Sequence, residues 1–163
     1  MKKQSTTKIT RFITLPKISD EGYLSFAENG RHLPFNMKRF YFIYDVYNNA
    51  KRGFHAHKKN KQALFCIKGQ IKIILDDGKK REEVILDQPN IGIYINKFVW
   101  HEMHDFTNET VLFVAASEVF NERDYIRNYA VFLDLMNNSF LSRLFSFPKS
   151  IFALNIFHNK TNL

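Results

Sequence analysis

Short runs of alternating apolar and polar residues, punctuated by turn-forming dipeptides, fill the middle of this chain. Ile71, Ile73 and Leu75 alternate with Gln70, Lys72 and Ile74, and Val84 and Leu86 resume the alternation after Asp76-Asp77-Gly78. A period of two is the mark of a strand with one face buried, and Asp-Gly favours the positive φ of a hairpin. Ala63-Leu64-Phe65-Cys66-Ile67 is a continuous apolar run. The aromatic stretch from Lys38 to Val46, Gly92 to Ile95, Val99 to Met103 and Val111 to Ala115 complete a set of short strands. Many short strands with frequent turns predict an all-β antiparallel barrel or sandwich.

The ends follow other patterns. Residues 1–20 predict an arm in which Ile9, Phe12, Ile13 and Leu15 have strand character before Pro16. Asp20-Glu21-Gly22 and Asn29-Gly30 are turn signals that bracket a short strand over Tyr23–Glu28. Tyr125, Tyr129, Phe132, Leu133 and Met136 then fall at helical spacing, with Asn121 as cap and Glu122 and Asp124 at the positive end. Beyond Asn137, Phe140, Leu141, Leu144, Phe145, Phe147, Ile151, Phe152, Leu154, Ile156 and Phe157 crowd the sequence around Pro148. The division expected is a domain over 1–136, arm included, and an aromatic-rich extension over 137–163. Two short helices packed on the core or on a second subunit would account for that tail. A basic, aromatic helix lying on a membrane surface is the alternative.

Composition narrows the setting. A chain of 163 residues, 45% hydrophobic with 17 Phe, can bury a real core in one domain. Cys66 is the only cysteine, so no internal disulfide can form, and a reducing, cytoplasmic location is expected. The net charge of +8 comes from the ends: residues 1–19 carry five basic residues and 137–163 carry three, with no acid in either segment. The stretch 20–136 is neutral, with 16 basic and 16 acidic residues. No broad basic face follows, so no nucleic-acid partner is expected. No apolar run follows the basic N-terminus, and none is long enough to span a bilayer.

The chemistry concentrates in Arg52-Gly53-Phe54-His55-Ala56-His57-Lys58. On a strand, residues two apart share a face, so His55 and His57 aim two imidazoles into one cavity. Gly53, His55, His57, Gln62 and Gly69 resemble the first cupin motif, and His101 falls where the second would place its histidine. A jelly-roll barrel with His55, His57, Gln62 and His101 at its mouth follows from that resemblance. Three imidazoles can hold Zn or Fe. Gln62 stands where a metal-binding barrel often has a carboxylate, however, and Arg52 and Lys58 would oppose a dication. The expectation is therefore no metal and no cofactor, with His55 and His57 moving protons near neutral pH. The bland alternative is that these rings satisfy hydrogen bonds in the barrel wall. Arg52 and Lys58, with Arg39 and Arg127 as further candidates, suit a phosphate. Tyr41, Tyr44 and Trp100 offer rings for stacking on a base or sugar, or for core packing.

The blocks Arg-Gly-Phe-His-Ala-His-Lys, Leu75-Asp76-Asp77-Gly78, Gly92-Ile93-Tyr94-Ile95, Val99 to Phe106 and Asp124 to Tyr129 occur in that order. From about Asp20 to Leu135 the chain resembles the sugar 3,4-ketoisomerases, the cupins that act on dTDP-4-oxo-6-deoxyglucose. The resemblance implies a cupin jelly-roll with a short C-terminal helix, and a homodimer with exchanged N-terminal strands. It implies a metal-free site in which His55 and His57 are catalytic. Arg52, Lys58, Tyr41 and Arg127 would help hold the dTDP-sugar, and Arg39, Gln62, Trp100 and His101 would line the same pocket. A metal-dependent cupin oxygenase and a non-catalytic nucleotide-sugar-binding module are the rival readings.

Overall fold

The computed structural model describes residues 8–47 and 50–144. Its strands are β1 (Arg11–Thr14), β2 (Ile18–Ser19), β3 (Tyr23–Leu24), β4 (Arg39–Ile43), β5 (Arg52–His57), β6 (Gln62–Lys68), β7 (Ile71–Asp76), β8 (Arg81–Leu86), β9 (Ile91–Ile95), β10 (Trp100–His104), β11 (Val111–Ala116) and β12 (Tyr125–Ile126). One sheet has the order β1-β9-β6-β11-β4, and the facing sheet β12-β5-β10-β7-β8. All pairings between these strands are antiparallel, as a jelly-roll requires.

Leu64, Cys66, Ile71, Ile73, Leu75, Val84, Leu86, Ile93, Met103, Leu112 and Val114 project between the sheets and form the main core. The alternation of β7 and β8 therefore translates directly into an inner and an outer face. β6 is apolar and buried from Ala63 to Cys66 because both of its faces are covered there. Its outward Ala63 and Phe65 lie under Ile13, Leu15, Leu33 and Phe35 of the N-terminal segment. β1 runs along β9 of its own chain, with Ile13 opposite Gly92.

Two local expectations need correction. Only Tyr23–Leu24 of the stretch Tyr23–Glu28 is strand. The Asp-Gly hairpin is present: β7 and β8 join through the loop Asp77–Lys80, Gly78 takes φ 84°, and the Asp77 carboxylate accepts the amides of Lys79 and Lys80. The helical period does not reach back to Tyr125. Glu122–Asp124 is a 3₁₀ turn capped by Asn121, Tyr125–Ile126 is β12, and the helix α1 spans Tyr129–Leu144. Its N-cap is Asn128, whose side chain accepts the amide of Val131.

α1 lies on the outer face of the second sheet, where Phe132 is fully buried beside Ala56, Trp100 and Ile126. A side chain at Gly78 (φ 84°) would come within 2.7 Å of Met136 on this helix. The boundary expected between 136 and 137 falls inside α1. Whatever the expected tail helices do beyond residue 144 lies outside the described residues.

Candidate active site

The histidine face is built by a bulge. Met103 pairs with Arg52 and Glu102 with Gly53, but His101 pairs with His55, so the register slips by one at Gly53-Phe54. Both residues take left-handed backbone, φ 83° and 55°. Gly53 also approaches β10 too closely for a side chain: a Cβ there would lie 2.8 Å from the His101 carbonyl oxygen. The slip sets His55 directly opposite His101, and directly opposed residues share a face. Their ring centroids are 4.3 Å apart, and His57, two residues on, lies 4.9 Å from His55.

Each ring is oriented by its neighbours. His55 Nδ1 donates to the Gly53 carbonyl at 2.9 Å, and His57 Nδ1 donates to Asp124 Oδ2 at 2.9 Å. In both rings Nδ1 therefore carries the proton and Nε2 the lone pair. Gln62 reaches across from the other sheet. Its Nε2 donates to Tyr41 Oη at 2.9 Å and lies 3.4 Å from His57 Nε2. His101 is buried, and neither of its ring nitrogens has a hydrogen-bond partner among the described residues. Tyr125, directly opposite His57 in register, packs its ring 4.8 Å from His55 and 4.4 Å from His57.

Burial decides the charge state of this cluster. It drives His55 down to about 4, helped by the His57 and Arg127 charges and opposed by the Gly53 bond. It lowers His57 as well, with Asp124 pulling the other way and Arg39 and Arg127 adding to the fall. His101 falls well below its ordinary value from burial, then from His55 and His57. Tyr41 is pushed up to about 12, chiefly by burial. At neutral pH the pocket thus holds three uncharged imidazoles and a protonated phenol.

Cations rim it. The guanidinium of Arg39 sits 5.3 Å from the Tyr41 ring centroid, and its buried Nε has no partner among the described residues. Arg127 lies 4.3 Å over Tyr125 and is held by Glu122 at 2.6 and 3.0 Å. Arg52 is exposed and makes no ion pair among the described residues.

Sequence reasoning thus placed Tyr41, His55, His57, Gln62, His101, Arg39 and Arg127 in one neighbourhood, and the structure brings them together. Trp100 does not join them. It is adjacent to His101 on a strand and so faces outward, where its Nε1 donates to Glu102 and its ring packs on Tyr129 and Phe132. Lys58 is also turned away, its ammonium on the Arg123 carbonyl at 2.8 Å. Two residues were missed. Asp124 read as a helix-end acid, and Tyr125 as a helix-face residue. Among the described residues no group of three His, Cys, Asp or Glu is arranged to hold a metal ion.

A ten-stranded antiparallel barrel enclosing paired imidazoles between its sheets is a cupin. The family model described as "FdtA: WxcM-like, C-terminal" matches residues 8–137, and the chain belongs to this family of sugar 3,4-ketoisomerases. It is similar to the TDP-4-oxo-6-deoxy-alpha-D-glucose-3,4-oxoisomerase of Aneurinibacillus thermoaerophilus, at 46% identity over 73% of this chain and 86% of that one. The solved TDP-quinovose 3,4-ketoisomerase WlaRB of Campylobacter jejuni is 42% identical, with a TM-score of 0.75 over 78% of this chain and 99% of that one. A mutant of the 3,4-ketoisomerase QdtA from Thermoanaerobacterium thermosaccharolyticum, in complex with TDP-4-keto-6-deoxyglucose, is 39% identical. Its TM-score is 0.79 over 83% of this chain and 99% of that one.

Proposed function

We propose that this protein converts dTDP-4-oxo-6-deoxyglucose into a dTDP-3-oxo-6-deoxyhexose, a step toward an amino deoxysugar, by metal-independent proton transfer. The observation that carries the reading is the pair of neutral imidazoles, 4.9 Å apart, each turning a lone-pair nitrogen away from its anchored Nδ1. The relatives' substrates, TDP-sugars bearing a ketone beside a hydroxyl, are what such a pair can act on.

His57 removes the proton on carbon 3, which the adjacent carbonyl acidifies. The C–H electron pair forms the carbon 3–carbon 4 double bond, and the carbonyl electrons move to oxygen 4. His55 passes the oxygen 3 proton to oxygen 4, so the enediol's negative charge moves to oxygen 3. That charge collapses to the new carbonyl while carbon 4 takes back the proton from His57. Atoms and charge balance without an external acid. Gln62 stands in place of a metal-binding carboxylate and, with Tyr41, is spent on hydrogen bonding to the His57 side of the pocket. Arg52, Arg39 and Arg127 would hold the diphosphate and so orient the sugar.

The working unit in this reading is a homodimer in the cytoplasm. Phe40 and Phe42 are 58% and 46% exposed on the edge strand β4, the first stacked on Phe113 and the second edge-on to it, which supports a covered apolar face. Exchange would set each β1 along the partner's β9 in the register it keeps here along its own. Incubation with dTDP-4-oxo-6-deoxyglucose in deuterium oxide, followed by NMR, tests the reaction. The expected result is a 3-oxo product, labelled at carbon 4 to the extent that the His57 imidazolium exchanges with solvent before it returns its proton, obtained equally after chelation of metals. Recovery of unlabelled, unchanged substrate would refute it.

A further inference from the structure

We propose that the solvent side of α1, together with the C-terminal extension that follows it, is a docking surface for an anionic lipid membrane. The inference concerns where the protein works and does not rest on the proposed isomerisation.

The extension lies beyond the part shared with relatives. The family model ends at residue 137, and 78% of this chain spans 99% of WlaRB. Five of the chain's 17 Phe fall in the 26 residues 138–163, with four Leu and two Ile. The charged side chains there are Arg143, Lys149 and Lys160, and no Asp or Glu is among them. Aromatic and aliphatic side chains gain free energy at the boundary between headgroups and acyl chains, and positive charges are drawn to acidic headgroups. Apolar bulk with charge of one sign only is what an anionic bilayer surface selects.

The described part of α1 adjoins this segment and has an open apolar side of its own. Phe132 is buried against the second sheet, yet Val131 and Leu135, one turn apart, are 51% and 40% exposed. The helix runs on to Leu144, seven residues into the extension. Its one acid, Asp134, accepts the side-chain amide of Asn138 at 2.8 Å. Gly78 abuts Met136, so the loop Asp77–Lys80 lies beside the helix and brings Lys79 and Lys80 to it along with Asp77; Lys80 is paired with Glu82 at 2.7 Å. α1 covers the second sheet, whereas β4 belongs to the first. The surface therefore stays open when the Phe40–Phe42 face meets a second copy.

Sedimentation of the full-length protein with phosphatidylglycerol–phosphatidylcholine vesicles, and with pure phosphatidylcholine vesicles, tests this. Binding to the acidic vesicles is expected, falling about tenfold or more on neutral vesicles or in high salt. Protein that stays in the supernatant with both, or binds both equally, would overturn the proposal. Phe147→Ser combined with Phe152→Ser should weaken binding about tenfold or more at an unchanged thermal midpoint. Val131→Ser combined with Leu135→Ser should weaken it about threefold or more. Unchanged binding in either pair would overturn the assigned surface. A lower thermal midpoint or a changed oligomeric state in the Phe pair would show that the extension packs on protein, which would overturn it as well. The wild-type sedimentation decides the proposal even where a variant fails to fold.

Discussion

At the scale of single residues the site is a set of groups kept neutral by burial. His55 lies near 4 and His57 below its ordinary value. A base with a depressed pKa stays unprotonated to lower pH, so the acid limb of kcat should fall below about pH 6.5, the value of a free imidazole. A limb centred at or above that pH would contradict the burial argument. His55→Asn and His57→Asn should each lower kcat by about 10²–10⁴-fold with the thermal midpoint little changed, since asparagine keeps a polar group in each place. Trp100 gives the contrasting case. Trp100→Phe removes the bond to buried Glu102 and should cost about 1–3 kcal/mol of stability in denaturant titration, with kcat nearly unchanged. The pairing of His55 with His57 was legible from strand alternation alone. The same alternation, applied to Trp100 beside His101, would have turned the indole outward; the motif's compactness hid that.

At the scale of elements, β5 does two tasks that conflict in a regular strand. It must pair with β10 and still bring His55 opposite His101. The left-handed pair Gly53-Phe54 resolves the conflict by adding one residue. Gly53→Ala should cost about 1–3 kcal/mol, from backbone strain and contact with the His101 carbonyl, and should lower kcat by misplacing His55. Normal activity in a fully folded variant would show the bulge to be dispensable. The central strands were readable because β7, β8 and β6 advertise their faces through alternation or continuous burial. The segment 121–128 was not. Its tyrosine and the later apolar residues happen to share a helical period, yet Tyr125 is paired to His57 and Asn128 starts the helix. Asp124 was hidden for a related reason. It meets His57 from 67 residues away, and nothing local to either residue records that contact.

At the scale of the whole molecule, the buried His57 and His101 and the half-buried His55, all with lowered pKa values, make the barrel acid-sensitive. As pH falls through about 6.5 the unfolded chain takes up protons that the folded chain refuses, so stability declines until the folded values are reached. His55 sets one end of that window, near 4. The thermal midpoint should therefore drop between about pH 6.5 and 4, and His101→Leu should flatten the slope by removing a fully buried titrating group. An unchanged slope would place the sensitivity elsewhere. The described helix does not qualify as a membrane span by length and hydropathy.

β12 is two residues long and lies at the edge of its sheet, yet Tyr125, and Asp124 just ahead of it, complete the ring of groups around His57. During synthesis the ribosome therefore makes the histidines early and their clamp last. A nascent chain halted before Asp124 would hold nine of the ten barrel strands and still be silent toward its sugar. Such a chain would carry both histidines without the carboxylate that His57 Nδ1 meets in the finished barrel.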